Sequence, residues 1–320
     1  MRAFQLAATG SQPDFAEIPL PPPGPGELRV QIAACGLNFA DLLMIDGKYQ
    51  DIPALPFTMG MELAGTVTEI GAGVTGFAPG DRVACFAGQG GLAPEGNFAA
   101  HRCLRLPGTM DFVTAAAFQI AYGTSHLALD HKARLQPGET LFVTGAAGGV
   151  GLTAVEIGKR MGARVIASAR GAEKLAVARA AGADVLIDSE SPDLRGQLKA
   201  LGGIDVMYDS VGGPAFMEAL RATRPEGRLL AIGFAGGDVP QVPANLLLVK
   251  NLSVMGLYWG GYLTFRPDVL TASLATLAQW IAEGSLHPHV SQTFPLEQAA
   301  DALACLKARR STGKVVVTMG

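Results

Sequence analysis

The sequence predicts an α/β chain in two parts: an antiparallel, partly closed β domain up to about residue 110, then a doubly wound parallel sheet from about residue 122. In the first part, short β segments are separated by Gly71-Ala72-Gly73 and Pro79-Gly80-Asp81, turn signals with a hairpin or barrel character. In the second part, apolar strand-like runs alternate with stretches of helical period. Between the first such run and its helix lies Gly145-Ala146-Ala147-Gly148-Gly149-Val150-Gly151, where a dinucleotide-binding fold puts its phosphate turn.

Met1-Arg2-Ala3-Phe4-Gln5 lacks the apolar core of a signal peptide and reads as a first strand. Pro19, Pro21, Pro22, Pro23 and Pro25, with Gly24 and Gly26, make a stiff extended connector before a strand over Glu27–Ala34. Further strands are expected at Ala64–Ile70 and Asp81–Phe86. Residues 112–129 carry no formal charge, but Gln119, Tyr122, Gly123, Thr124, Ser125 and His126 interrupt the run, so a buried helix is expected instead of a membrane span.

Strands are then expected at Leu141–Thr144, Arg164–Ser168, Val185–Ile187, Val206–Asp209, Arg228–Gly233 and Leu252–Met255. Helices fill the gaps at 150–161, 172–181, 192–201 and 214–223, giving right-handed crossovers. Helical patterns at about 268–283 and 296–308 precede a last strand, Lys314–Thr318, which is expected to rejoin the first domain. The expected division is therefore a catalytic β domain of residues 1–121 and 258–320, with a nucleotide domain of residues 122–257 inserted in it.

The 320 residues allow two ordinary domains, and 49% hydrophobic with 17% charged residues describes a compact enzyme. A net charge of −3 gives no electrostatic case for nucleic acid or an anionic membrane. Lys307, Arg309, Arg310 and Lys314 form the one basic concentration and read as a solvated helix end, with Lys314 taken as a surface charge in preference to a phosphate contact. Cys35, Cys85, Cys103 and Cys305 are widely spaced and read as buried free thiols. A cytoplasmic location is the default expectation.

Within the glycine run, Gly148 lets the backbone approach a pyrophosphate, Gly151 lets the helix pack on its strand, and Ala146 stands where the first glycine of G-x-G-x-x-G is usual. The N–H groups of Ala147, Gly148, Gly149 and Val150 are the expected phosphate donors, at the positive end of the helix dipole. The second strand ends Ser168-Ala169-Arg170 with no acid. A carboxylate there would accept from the ribose of NAD, whereas Arg170, Lys174 and Ser168 suit the 2′-phosphate of NADPH.

With Gly36-Leu37-Asn38-Phe39-Ala40-Asp41, Gly60-Met61-Glu62, Tyr208-Asp209-Ser210-Val211-Gly212-Gly213 and Thr312-Gly313-Lys314-Val315-Val316 added to the glycine run, the chain resembles the medium-chain dehydrogenase/reductase superfamily, and in it the zinc-free quinone oxidoreductase branch. The resemblance spans nearly the whole length. It implies a chaperonin-10-like β barrel domain, a Rossmann nucleotide domain, and an active site in the cleft between them. Zinc alcohol dehydrogenases of that superfamily place a Cys and a His where Asn38 and Met61 look to stand here, and neither replaces a thiolate or an imidazole for zinc. No metal is expected.

Without a Lewis acid, the acceptor must already be electron-poor: a quinone, or the β-carbon of an α,β-unsaturated carbonyl. The resemblance implies catalytic positions at Asn38, Tyr49 and Thr124, an acceptor pocket at Leu43, Tyr258 and Trp259, and further cofactor contacts at Ser210, Gly233 and Phe234. Asp41 is expected to order its turn and Glu62 to be structural. The apolar edge at Leu252–Gly256 implies a homodimer. The expected function is that of an NADPH:quinone oxidoreductase acting on a small-molecule acceptor; the alternatives are an enoyl-CoA (acryloyl-CoA-like) reductase and a non-catalytic NADPH- or RNA-binding protein.

Overall fold

The structure is a computed structural model that describes residues 1–108 and 110–320. The chain divides into two compact units, Met1–Ile120 with His287–Gly320, and Ala121–Leu286. The first opens with β1 (Arg2–Leu6), β2 (Asp14–Glu17), β3 (Glu27–Leu37), α1 (Phe39–Ile45), β4 (Phe57–Thr58), β5 (Glu62–Ile70), β6 (Arg82–Phe86), β7 (Glu95–Ala99) and β8 (Cys103–Arg105). Helix α2 (Phe112–His126) follows, and its last six residues belong to the second unit.

The second unit contains β9 (Thr140–Thr144), α3 (Gly149–Arg160), β10 (Arg164–Ala169), α4 (Gly171–Ala180), β11 (Val185–Asp188), α5 (Leu194–Ala200), β12 (Ile204–Asp209), α6 (Pro214–Ala222), β13 (Thr223–Ala231), α7 (Ala244–Lys250), β14 (Ser253–Gly256), α8 (Tyr262–Phe265) and α9 (Pro267–Ala282). The chain returns to the first unit with β15 (Val290–Pro295), α10 (Ala299–Lys307) and β16 (Lys314–Thr318).

In the first unit, β3 organises the larger sheet, whose order is β15-β16-β3-β5-β6-β8. Its first half pairs with β7, from Glu27↔Ala99 to Gln31↔Glu95, and its last four residues pair with β16. Register shifts between Arg29/Val30 and Ile32/Ala34 bend the strand, so that two partners share one edge. Leu28, Val30, Ile32, Leu63, Val67, Val83, Cys85 and Phe98 fill the core against this bend. A smaller antiparallel sheet, β2-β1-β4, completes the unit. The expected return of the last strand is present as β16 against β3.

The second unit is a six-stranded parallel sheet of order β11-β10-β9-β12-β13-β14. Chain order reverses between β9 and β12, the switch point at which open α/β sheets bind ligands. Leu141, Phe142 and Val143 of β9 are fully buried, as a strand covered on both faces requires. Residues 258–286 differ from the expected grouping: they pack with this unit. The reason is specific contact: His126 Nδ1 meets Ser273 Oγ at 2.8 Å, Arg160 stacks on Trp280, and Leu270, Leu274 and Leu277 are buried.

Candidate active site

In the first unit, three strand ends converge. The register pairs Gly36 with Glu62 and Leu37 with Val315, so the end of β3 meets the starts of β5 and β16. Asn38 follows β3 directly and precedes α1. Lys314 Nζ donates to Leu37 O at 2.7 Å, Asn38 Oδ1 at 2.6 Å and Glu62 Oε1 at 2.7 Å. Asn38 Nδ2 donates to Glu62 Oε1 at 3.0 Å and, over a longer 3.3 Å, to Gly36 O. The other Glu62 oxygen accepts from Ile120 N–H.

An ammonium only donates and a carboxylate only accepts, so the orientation of the Asn38 amide is fixed from both sides. Gly36 permits the close approach of α2 to β3: a Cβ there would collide with the Ala116 carbonyl oxygen. Lys314, read from sequence as a surface charge, is 4% exposed and pairs with the fully buried Glu62. The sequence placed it at the end of a basic cluster; the fold turns it inward because its strand lies beside β3. Such a buried pair is held by its extra hydrogen bonds as much as by charge.

Asp41 is also fully buried, one turn into α1, where its Oδ2 accepts from Asn38 N–H at 2.8 Å. Its other oxygen has no hydrogen-bond partner. Burial pushes its carboxyl up to about 7, against the pull of the Asn38 N–H and the Lys314 charge. Between about pH 4 and about pH 7 the folded protein therefore keeps a proton that the unfolded chain has released, and folding stability drops as pH rises through that window. Asp41→Asn removes this dependence. Its stability relative to the parent protein should improve from about pH 4.5 to about pH 7.5, as read from denaturant midpoints; a pH-independent difference would reject the shift.

In the second unit, β9 ends at Thr144 and α3 starts at Gly149, with Gly145 in the left-handed region at φ 59°. The first i→i−4 bond runs from Leu152 N to Gly148 O, which leaves the N–H groups of Gly149, Val150 and Gly151 outside the helical ladder. A Cβ built on Gly148 would meet only Gly145 O, at 3.3 Å, and Gly148 is exposed. Space therefore stands open over this helix end, as a phosphate needs. Ala147 is buried beneath the turn.

The strand ends at the switch point are stitched together. Thr144 Oγ1 donates to Asp209 Oδ1, Ser210 N–H donates to Thr144 Oγ1, and Ser210 Oγ donates to Thr144 O. Asp209 also accepts from Val211 and Gly212 N–H, and burial raises its carboxyl above the usual range. Gly233 and the exposed Phe234 follow β13 at the same end of the sheet. Behind the glycine turn, Ser125 Oγ donates to Val150 O and lies 2.7 Å from Thr153 Oγ1 and 2.9 Å from Tyr208 OH. Asp209 and Tyr208 stand in a motif visible in the sequence, but their bonds to Thr144 and Ser125 were not legible there, since these partners meet only in the folded chain.

Ser168 is buried near the end of β10, and Arg170 caps α4. Arg170 Nε pairs with Glu190 Oε1 at 3.0 Å; the two side chains are 68% and 65% exposed. An exposed pair is worth about 0–1 kcal/mol, so a phosphate can displace the carboxylate. Lys174 lies half-buried one turn further along α4. Thr124 is buried on α2, Leu43 is half-buried on α1, and Tyr49 is half-buried after it. Trp259 is buried against Gly123, where a Cβ would stand 2.6 Å from its indole nitrogen, while Tyr258 is exposed.

Residues 24–123 match the family described as alcohol dehydrogenase GroES-like domain, and residues 181–317 match the family described as zinc-binding dehydrogenase. Quinone oxidoreductase-like protein 2 of Mus musculus is 42% identical over 302 residues, 93% of this chain and 86% of that protein. The Escherichia coli quinone oxidoreductase complexed with NADPH superposes with a TM-score of 0.91 at 30% identity, over 99% of each chain. The Thermus thermophilus quinone oxidoreductase, also studied in complex with NADPH, gives 0.88 at 33% identity over 100% of each.

The residues here do not fit the zinc of the second family's description. Asn38 offers an amide, Met61 a thioether, and the oxygens of Asn38 and Glu62 are already turned to the Lys314 ammonium, whose charge opposes a second cation. Sequence, fold and both family matches agree on one assignment: the chain belongs to the quinone oxidoreductase branch of the medium-chain dehydrogenase/reductase superfamily.

Proposed function

We propose that this oxidoreductase uses NADPH to reduce a quinone or an α,β-unsaturated carbonyl, and does so without zinc. One observation carries the reading: a buried ammonium, not a set of metal ligands, organises Asn38 and Glu62. A fixed organic cation stabilises an alkoxide poorly compared with a bound metal, which favours acceptors that spread charge by conjugation.

When bound, NADPH supplies a hydride from its nicotinamide ring. Ala147, Gly148, Gly149 and Val150 cradle the pyrophosphate. The expected Gly148 donor is taken, since its N–H bonds to Gly145 O at 2.9 Å, so Gly148 supplies open space while Gly149 and Val150 offer backbone N–H groups. Ser168, Arg170 and Lys174 receive the 2′-phosphate, and Ser210, Gly233 and Phe234 flank the cofactor at the sheet's ligand end. Thr124 orients the nicotinamide amide. Asn38 donates to the developing oxyanion through the N–H on its long bond to Gly36, while Lys314 acts as a positioning residue behind it. Tyr49 is a second donor, and Leu43, Tyr258 and Trp259 line the acceptor pocket. A homodimer through the open edge strand β14 belongs to the same reading.

Loss of NADPH absorbance with a panel of quinones, enones and enoyl-CoA esters tests the acceptor class; turnover of the thioesters alone would overturn it. Arg170→Asp tests the cofactor. Losing a charge-assisted phosphate contact costs about 1.5–3 kcal/mol, so preference for NADPH over NADH should fall about 10- to 100-fold. An unchanged ratio of kcat/KM values would reject the assignment.

A further inference from the structure

We infer that Cys85 and Cys103 form a reversible cross-strand dithiol, in which a hydroperoxide converts the half-exposed Cys103 to a sulfenic acid and Cys85 then closes a disulfide. The inference stands apart from the choice of acceptor, since it uses neither the cofactor turn nor the Asn38 network.

Strands β6 and β8 are antiparallel, and their register makes Cys85 and Cys103 direct partners. Direct partners on an antiparallel pair have Cα atoms about 4.5 or 5.5 Å apart. Both values lie in the window of about 4.4–6.8 Å that a disulfide spans, so the pairing of these two residues is compatible with a disulfide. Cys103 Sγ donates to Ala99 O at 3.6 Å, which holds the half-exposed sulfur at the sheet edge beside its register partner.

The two thiols differ in the way a two-step oxidation requires. Cys85 is fully buried in the core with Leu63 and Val83, whereas Cys103 packs on that core from its half-exposed edge. The neighbouring Cys103 thiol and burial hold the Cys85 thiol well above the ordinary range, so Cys85 stays protonated and waits. Cys103 is the sulfur a peroxide can reach. Its thiolate attacks one peroxide oxygen and the O–O bond breaks. The second oxygen takes up the proton that the thiol gave up and leaves as water from hydrogen peroxide, or as an alcohol from an organic hydroperoxide. The Cys85 sulfur then attacks the Cys103 sulfur; the S–O bond breaks, the S–S bond forms, and the departing hydroxide leaves as water with the Cys85 thiol proton. The two thiols lose one electron pair between them to the peroxide, and no other reactant is needed. Cys35 and Cys305 have no such partner in register among the described residues.

The site also has a route to the active centre. Cys85 pairs with Leu63 on the other side of β6, and the next pair is Phe86 with Glu62. A closed disulfide therefore ties the sheet edge one residue from the carboxylate that holds Asn38.

The test uses the whole protein treated with hydrogen peroxide, then denatured, blocked with iodoacetamide in the denaturant so that buried thiols react, and cleaved with trypsin without reduction. Arg82 and Arg102 place the two cysteines on separate peptides, Val83–Arg102 and Cys103–Arg105. The expected result is a linked pair of these peptides that dithiothreitol separates, with loss of two of the four alkylatable thiols. In Cys85→Ser, dimedone should label Cys103 as a persistent sulfenic acid; in Cys103→Ser, Cys85 should remain alkylatable. Full alkylation of both cysteines after oxidation, or oxidation of Cys103 with no linked peptide in the parent protein, would overturn the proposal.

Discussion

Lys314→Met is expected to destabilise the protein by about 3–5 kcal/mol, because it leaves the Glu62 carboxylate buried with its cation removed. Glu62 has no exposed surface over which to recover solvation, and Asn38 loses the donor that fixes its amide oxygen. The companion change discriminates charge from packing. Lys314→Met combined with Glu62→Gln should recover most of the loss, since neither side chain then carries an uncompensated charge. Denaturant unfolding of the two single variants and the double variant measures this directly. Additive losses, or a single-variant cost below about 1 kcal/mol, would show that the pair behaves as an ordinary exposed one.

The second large effect is expected at the glycine turn, where two glycines that look alike in sequence should respond differently. In Gly151→Ala the new methyl group meets the Gly145 carbonyl oxygen and lies 3.0 Å from Ala146 Cα. Both are backbone atoms in the turn itself, so the turn must move. A stability loss of about 1–3 kcal/mol and a fall of at least about tenfold in NADPH affinity should follow together. Gly148→Ala meets only Gly145 O at 3.3 Å, and its φ of −83° suits any residue. It should keep its Tm and lose affinity alone, by taking the space the phosphate needs. Thermal unfolding and NADPH titration of both variants separate the roles; equal Tm losses would refute the distinction.

Much of the second unit was legible because its strands are short apolar runs and its helices keep their period. All six parallel strands lie where those runs fall, and α3 begins within a residue of its expected start. Long-range pairing was not legible. Nothing around Lys314 distinguishes it from Lys307, Arg309 and Arg310; its partner Glu62 is 252 residues away. The helix Pro267–Ala282 shows an apolar face, but a face does not say which unit it covers, and the pairing of Ser273 with His126 decides that. Arg170 was visible as a cation, while Glu190 was not visible as its partner, since the two meet only after α4 and β11 have folded back. Asn38 was visible as a departure from metal-ligand chemistry. What replaced the metal ligands was hidden until β16 was seen beside β3.

The pairing of β16 with β3 also sets an order for events on the ribosome. Domains fold as units while the chain is being made, and Ala121–Leu286 is one unbroken stretch whose six strands are complete before β15 is translated. The unit around Asn38 has no such independence: until β16 emerges, Ala34–Leu37 of β3 lack their partner on that edge and the Glu62 carboxylate lacks its counter-ion. The nascent chain thus carries a finished parallel-sheet unit before the Asn38 network is locked, and any synthesis arrested before Lys314 leaves the end of β3 unpaired and open to other strands.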